Sequence, residues 1–318
     1  MSHEPILTAR HVTKQFPAAN GRLLTACDDV NLTVCQGRTL GIVGESGCGK
    51  STFVKMLVGL LAPTEGEILF HGDDITKLKG EALRQNRRKI QMVFQDAWAA
   101  FNPKMRVVDI VTEPLLNFGL IRRSERTAKA QELLEMVHLP KEYIDRYPHS
   151  MSGGQRQRVG IARALALEPE IIVCDEATCA LDVSVQDRIV ELLVELQQKK
   201  GISFVFICHD VALVQSLAHQ MAVMYLGNVV EVLPGHLVGT GALHPYTQAL
   251  IGAIFSTRMD FTKKIESIES EAPSPLDVPA GCPFQNRCGH CMERCRREKP
   301  KLVEIEQHHE VACHLFSR

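Results

Sequence analysis

No sign of charge dominates this chain of 318 residues: 36 Lys and Arg stand against 37 Asp and Glu, a formal net charge of −1. The global basic excess of a nucleic-acid binder is missing, and no nucleic-acid partner is expected. Nor does any apolar run approach the roughly 18 residues that a membrane helix needs; Phe204 to Cys208 makes a buried strand at most. The opening residues, Met1 to Ile6, contain no basic segment leading into an apolar stretch, so no signal peptide is expected and the chain should stay in the cytoplasm. Low-complexity tracts and internal repeats are absent as well, which excludes disordered and collagen-like classes. Aromatic residues are few, at 5%, but 45% of the chain is apolar, enough for one large or two ordinary domains with a buried core.

Turn and strand signals organise what is there. Alternation at Ile6-Leu7, Val12, Phe16 and Val30 to Val34 predicts antiparallel strands with turns at Asn20-Gly21 and Gln36-Gly37. Thr39 to Val43 is a short apolar strand running into a glycine-rich loop, and a helix from Lys50 to about Leu61 follows, stopped by Pro63. Helical spacing recurs over Ala128–Val137 and Gln186–Lys200. Ile171–Cys174 and Ile202–Cys208 have the composition of strands buried on both faces, as in a parallel sheet. The alternation predicts an α/β fold. Past residue 230 the pattern weakens, and Glu266 to Pro279, acidic and then proline-rich, resembles a linker.

Three segments carry chemistry. Gly44-Glu45-Ser46-Gly47-Cys48-Gly49-Lys50-Ser51, followed by Thr52, fits G-x-x-x-x-G-K-[ST] between a strand and a helix. Glycines let backbone N–H groups close around phosphate oxygens, the helix N-terminus adds positive potential, Lys50 reaches the outer phosphates and Ser51 can ligate Mg²⁺. The second segment ends a buried strand with Asp175 and Glu176, where open α/β sheets place their ligands. Asp175 suits a water-mediated Mg²⁺ contact, and Glu176 suits the group that polarises an attacking water. In the third, Ser152-Gly153-Gly154-Gln155 opens a helix as an N-cap followed by bare N–H groups, a second anion-binding terminus.

Together, in this order, these motifs resemble the ATP-binding cassette, the ATPase of ABC transporters, over residues 5–230. The resemblance implies a P-loop NTPase: a RecA-like parallel-sheet core with an antiparallel β-subdomain and a helical subdomain at about 97–160. It implies that Phe16 stacks on adenine, that Gln95 links the γ-phosphate and Mg²⁺ to membrane subunits, and that Ser152 to Gln155 form the signature. Asp175 then contacts Mg²⁺ with Ser51 and Gln95, and Glu176 is the catalytic carboxylate beside Lys50. Asp182, in Ala180-Leu-Asp182, reaches towards a partner cassette, and His209 is the switch that holds the γ-phosphate. Ala177 replaces a usual proline and Cys179 a usual serine. Two cassettes of this family pair head to tail, each nucleotide lying between one phosphate loop and the other signature.

Arg88 to Gln95, Phe101-Asn-Pro103, Arg146-Tyr-Pro-His149, Leu181 to Gln186, Met224 to Gly227 and His244 to Leu250 resemble the ATPases of oligopeptide, dipeptide and nickel importers, closer to their "F" type. That implies a subunit peripheral to the cytoplasmic face of the inner membrane. Its partners would be a different ATPase in a heterodimer, two membrane permeases and an extracytoplasmic substrate-binding protein, with peptides as the favoured solute. A soluble ABC-type ATPase of translation, repair or cluster assembly is the alternative; such proteins usually carry two cassettes or long insertions.

Of 11 cysteines, six are scattered up to Cys208 and read as small buried hydrophobes, while Cys282, Cys288, Cys291, Cys295 and Cys313 cluster in the tail, 231–318. Thiolates so clustered in a reducing compartment repel one another unless metal-bound or protonated, so a metal site is the natural reading beside plain thiols without metal, and four-thiolate zinc is chemically as acceptable as an iron–sulfur cluster. The run Cys282-Pro-Phe-x-x-Arg287-Cys288 with Cys295 and Val311-Ala-Cys313-His314 is similar to the importer tail. That resemblance implies a [4Fe–4S] cluster on Cys282, Cys288, Cys295 and Cys313, while Cys291 adds a C-x₂-C pair that could host zinc instead. The neighbouring His308 and His309, and the basic run from Arg294 to Lys301, read as solvated surface.

Overall fold

The structure, a computed structural model, describes residues 4–18, 21–95, 100–177, 181–252 and 273–317. Asn20 of the expected first turn, Asp96 beside Gln95, Cys179, Ala180 and the linker residues up to 272 lie outside the described residues. The chain divides into two compact units, one of Met1–Cys35, Thr39–Lys77 and Phe206–Arg318, the other of Gln36–Arg38 and Leu78–Val205.

In chain order the first unit opens with strands β1 (Pro5–Pro17), β2 (Leu23–Cys35) and β3 (Thr39–Val43), helix α1 (Lys50–Leu57), and strands β4 (Glu65–Phe70) and β5 (Asp73–Asp74). The second unit holds α2 (Gly80–Lys89), β6 (Ile90–Val93), α3 (Val107–Asn117), α4 (Arg126–Met136), α5 (Gly153–Leu165), β7 (Ile171–Asp175) and α6 (Val183–Lys200). Within β8 (Ser203–Ile207) the chain returns to the first unit, which ends with α7 (Val211–Leu217), β9 (Gln220–Tyr225), β10 (Asn228–Pro234), α8 (Pro245–Gly252), α9 (Glu293–Arg297), β11 (Val303–Glu306) and β12 (His309–Val311).

The expected antiparallel pair is β1 with β2, extended in the order β2-β1-β4-β5. A shift of register between Ala9 and Val12 marks a bulge, where His11 takes a φ of 51°. A second layer of the first unit runs β11-β12-β10-β9-β3. There β3 and β9 are parallel, Leu40 facing Gln220 and Val43 facing Val223, and every residue of β3 is buried. In the second unit β6 and β7 pair in parallel, with β7 buried throughout, while α3, α4 and α5 pack on one another. The α/β class read from strand–helix alternation is the class observed.

Element ends differ from the expectation in instructive ways. Helix α1 stops at Leu57, well short of Pro63, because Gly59 adopts φ 66° and its N–H donates to Met56 O at 3.0 Å while Leu60 N–H donates to Lys55 O at 2.8 Å. That pair of bonds around a left-handed glycine closes the helix before the proline is reached. Helix α6 begins at Val183, with Asp182 as its N-cap, and ends at Gly201 in a left-handed conformation with Lys199 and Lys200 in its last turn. The tail is part of the sheet: β12 pairs antiparallel with β10, Glu231 opposite Val311 and Val232 opposite Glu310.

Candidate functional site

The phosphate loop follows β3 directly, and its glycines are where the backbone demands them. Gly44 has φ 151° and a Cβ there would stand 2.2 Å from Met224 O; Gly49 has φ 107° and a Cβ would stand 2.2 Å from Ala26 O. Neither position admits a side chain. Gly49 is also the N-cap of α1, so the N–H groups of the first helical turn lie directly beside the loop. Lys50 is 4% exposed, and its ammonium donates to Gly44 O at 2.7 Å and Glu45 O at 2.9 Å. A third contact, to Cys48 Sγ at 3.7 Å, is also to an uncharged group of the loop, and a buried cation so held is a strong anion-binding group. Ser51 and Thr52 are half-buried at the start of α1, Ser46 and Gly47 are exposed, and Cys48 is buried. Burial pushes the Cys48 thiol up, against the pull of the neighbouring Lys50, so it stays a neutral packing group.

Other expected residues of the first unit take positions of their own. Phe16 lies near the end of β1 opposite Leu24, half-exposed, with the Lys14 ammonium 5.2 Å from its ring centre, so it is no core residue. His209 follows β8 and is exposed, just ahead of Asp210, which caps α7 by accepting from Ala212 N at 2.8 Å.

In the second unit Asp175 ends β7 and is buried, 8% exposed. Glu176 is half-buried and has a φ of 48°, a left-handed conformation that costs a residue with a Cβ. Gln95 is exposed just past the end of β6. At the head of α5, Ser152 Oγ accepts from Gln155 N at 3.4 Å and Gln155 Oε1 accepts from Ser152 N at 3.1 Å, a reciprocal cap. The two glycines behind it are set by packing. A Cβ on Gly153 would lie 3.1 Å from Leu181, and one on Gly154 would lie 2.4 Å from Val185. The head of α5 and the Asp182 end of α6 are thus brought together.

The tail cysteines are where the expectation is corrected. Among the described residues, which include all four expected ligands, no group of three or more His, Cys, Asp or Glu side chains is placed to hold a metal ion. That arrangement lends no support to the [4Fe–4S] cluster or to the zinc alternative. Burial, with the field of neighbouring thiols, pushes Cys282 up to about 12 and raises Cys288 and Cys313. Cys282 works through its backbone, its N–H donating to Cys295 O at 2.7 Å. His309 is also corrected: it is 3% exposed in its side chain, with Nε2 2.8 Å from Oε1 of the fully buried Glu231. That carboxylate accepts from Leu243 N at 2.7 Å and His244 N at 3.0 Å as well. His308 is exposed, as expected.

Sequence reasoning missed one set of residues beside the phosphate loop: Tyr246, Tyr225 and Arg287 all touch or approach Glu45. Their spacing, up to 242 residues from Glu45, leaves no local signal.

The family profile described as ABC transporter matches residues 27–179, and the profile described as Oligopeptide/dipeptide transporter, C-terminal region, matches residues 230–295. A probable peptide ABC transporter ATP-binding protein of Sinorhizobium fredii is 45% identical, covering 98% of this chain and 90% of its own length. The oligopeptide transport ATP-binding protein AppF of Bacillus subtilis is 44% identical over 99% of both chains. The di/tripeptide transport ATP-binding protein DppF of Pseudomonas aeruginosa is 41% identical over 98% of both. Among solved structures, a dimeric post-hydrolysis ATP-binding cassette bound to ADP and Pi is 32% identical with a TM-score of 0.67, covering 73% of this chain and 99% of that one.

Proposed function

Because the chain belongs to the ATP-binding subunits of ABC transporters of the oligopeptide and dipeptide type, a family of ATPases, we propose that it powers the import of peptides through partner permeases, in a heterodimer with a second ATPase. The names of its relatives support a peptide as solute and the "F" position in the pair. The observation that carries the reading is Lys50, buried in a loop of Gly44 to Ser51 that only glycine backbones can form.

The residues fit a nucleoside triphosphate with Mg²⁺. The loop from Gly44 to Thr52 would hold the phosphates, with Lys50 exchanging carbonyl partners for phosphate oxygens and Phe16 offering its half-exposed ring to the base. Ser51, Gln95 and Asp175 would hold the metal, whose charge offsets that of the phosphates. Glu176, held in a costly backbone conformation, orients and deprotonates the attacking water. His209 contacts the γ-phosphate, while Ser152 to Gln155 and Asp182 face the nucleotide of the partner cassette. Residues 1–230, with a helical subdomain at about 97–160, form the nucleotide-binding part, and 231–318 the importer extension. Among the described residues no helix is long and apolar enough to cross a membrane, which suits a subunit docked on the cytoplasmic face beneath two permeases supplied by a binding protein.

Affinity purification from detergent-solubilised native membranes tests the assembly. Two permeases, a second cassette and a substrate-binding protein are expected to co-purify. Recovery from the soluble fraction, alone or with ribosomes, would overturn it.

A further inference from the structure

Glu45, the second residue of the phosphate loop, is fastened at three points. Its carbonyl accepts from Lys50 Nζ, its N–H donates to the hydroxyl of Tyr246 at 3.0 Å, and its carboxylate takes Nη1 of Arg287 at 3.0 and 2.9 Å. Two of those partners come from the C-terminal extension. The Arg287 side chain is 6% exposed, reaches Tyr225 Oη at 3.3 Å and lies 5.7 Å from that ring. Beneath it the rings of Tyr225, Tyr246 and Phe284 pack with centres 4.7 to 5.4 Å apart, all three buried. So enclosed, the guanidinium depends on the Glu45 carboxylate as its counter-charge. The dependence runs both ways. An uncompensated carboxylate on a loop that receives a polyphosphate would repel it, and with the Glu45 side chain only 27% exposed water screens that repulsion in part.

We propose that Arg287 is a positioning residue of the nucleotide site: reaching from the C-terminal extension, it neutralises Glu45 and fixes the loop carbonyls that hold Lys50, so the extension sets the affinity for the phosphates of ATP. This rests on the reading of Gly44 to Ser51 as the ATP site. It gives the extension a role in nucleotide binding that needs no metal, and makes any disturbance of the tail legible as a change in ATP affinity.

The test is ATP binding to the purified full chain, with KM and kcat of its hydrolysis, for Arg287→Met and for Glu45→Gln/Arg287→Met. Methionine keeps the packing on Tyr225 and removes the charge. Arg287→Met is expected to weaken ATP binding and raise KM about tenfold, with kcat within about threefold of the parent. The double variant, which has no carboxylate left to repel phosphate, is expected to recover most of that affinity. Unchanged ATP affinity in Arg287→Met overturns the proposal, as does a loss that the double variant fails to restore, which would mark a merely structural contact. Should Arg287→Met fail to fold, Arg287→Lys decides: affinity within about threefold of the parent supports charge compensation, and a tenfold or greater loss overturns it. A parent chain that binds no ATP would instead refute the nucleotide site itself.

Discussion

On the proposed reading Glu176 and Lys50 carry the chemistry, and a single substitution at each is informative. Glu176→Gln keeps the size and the hydrogen-bonding reach of the side chain but removes the base. It is expected to retain ATP binding and to lower turnover by a factor of roughly 100 or more, read by phosphate release at saturating ATP; near-normal hydrolysis would refute the assignment. Lys50→Ala removes the buried ammonium that the carbonyls of Gly44 and Glu45 hold, and ATP binding is expected to be lost, as judged by equilibrium titration. These two residues were legible in the sequence because a phosphate loop and a strand-end carboxylate pair need fixed residue types at fixed spacing. Arg287 was not. Its partner is distant in the chain, and an arginine between cysteines looks the same whether it pairs or is solvated.

At the scale of elements, the tail strand β12 is held by a buried carboxylate. His309→Ala removes one partner of Glu231, which has no exposure to water to replace it, and is expected to cost about 1–3 kcal/mol, measured as a shift of the urea midpoint. His244, one residue inside the same network, is neutral: burial pushes it down to about 3 from an ordinary 6.5, and its Nδ1 accepts from Tyr246 N at 3.1 Å. The unfolded chain therefore binds a proton between those pH values that the folded chain does not, so stability falls as pH is lowered from 6.5 towards 3. Thermal midpoints across that window should drop less steeply for His244→Asn, whose amide oxygen can take the same N–H but does not titrate. Strands β3 and β7 were legible as short continuous apolar runs and helices α4 and α6 by their apolar spacing, both of them local signals. The tail was not: clustering of Cys282 to Cys313 invited a metal that the arrangement of the described side chains does not support, and His309 read as surface until β10 supplied Glu231. Neighbours from distant strands decide such cases, and sequence spacing carries no trace of them.

For the whole molecule, membership of the peptide-importer ATPases implies that hydrolysis is tied to transport, with closure of paired cassettes on ATP shifting the permeases between states. The most direct measurement is uptake of labelled di- and oligopeptides by cells whose only copy of this subunit is the parent or Glu176→Gln, with both chains recovered at equal abundance in the membrane. The account predicts uptake by the parent and none above background by the variant, although the variant still binds ATP. Equal uptake by the two would contradict it.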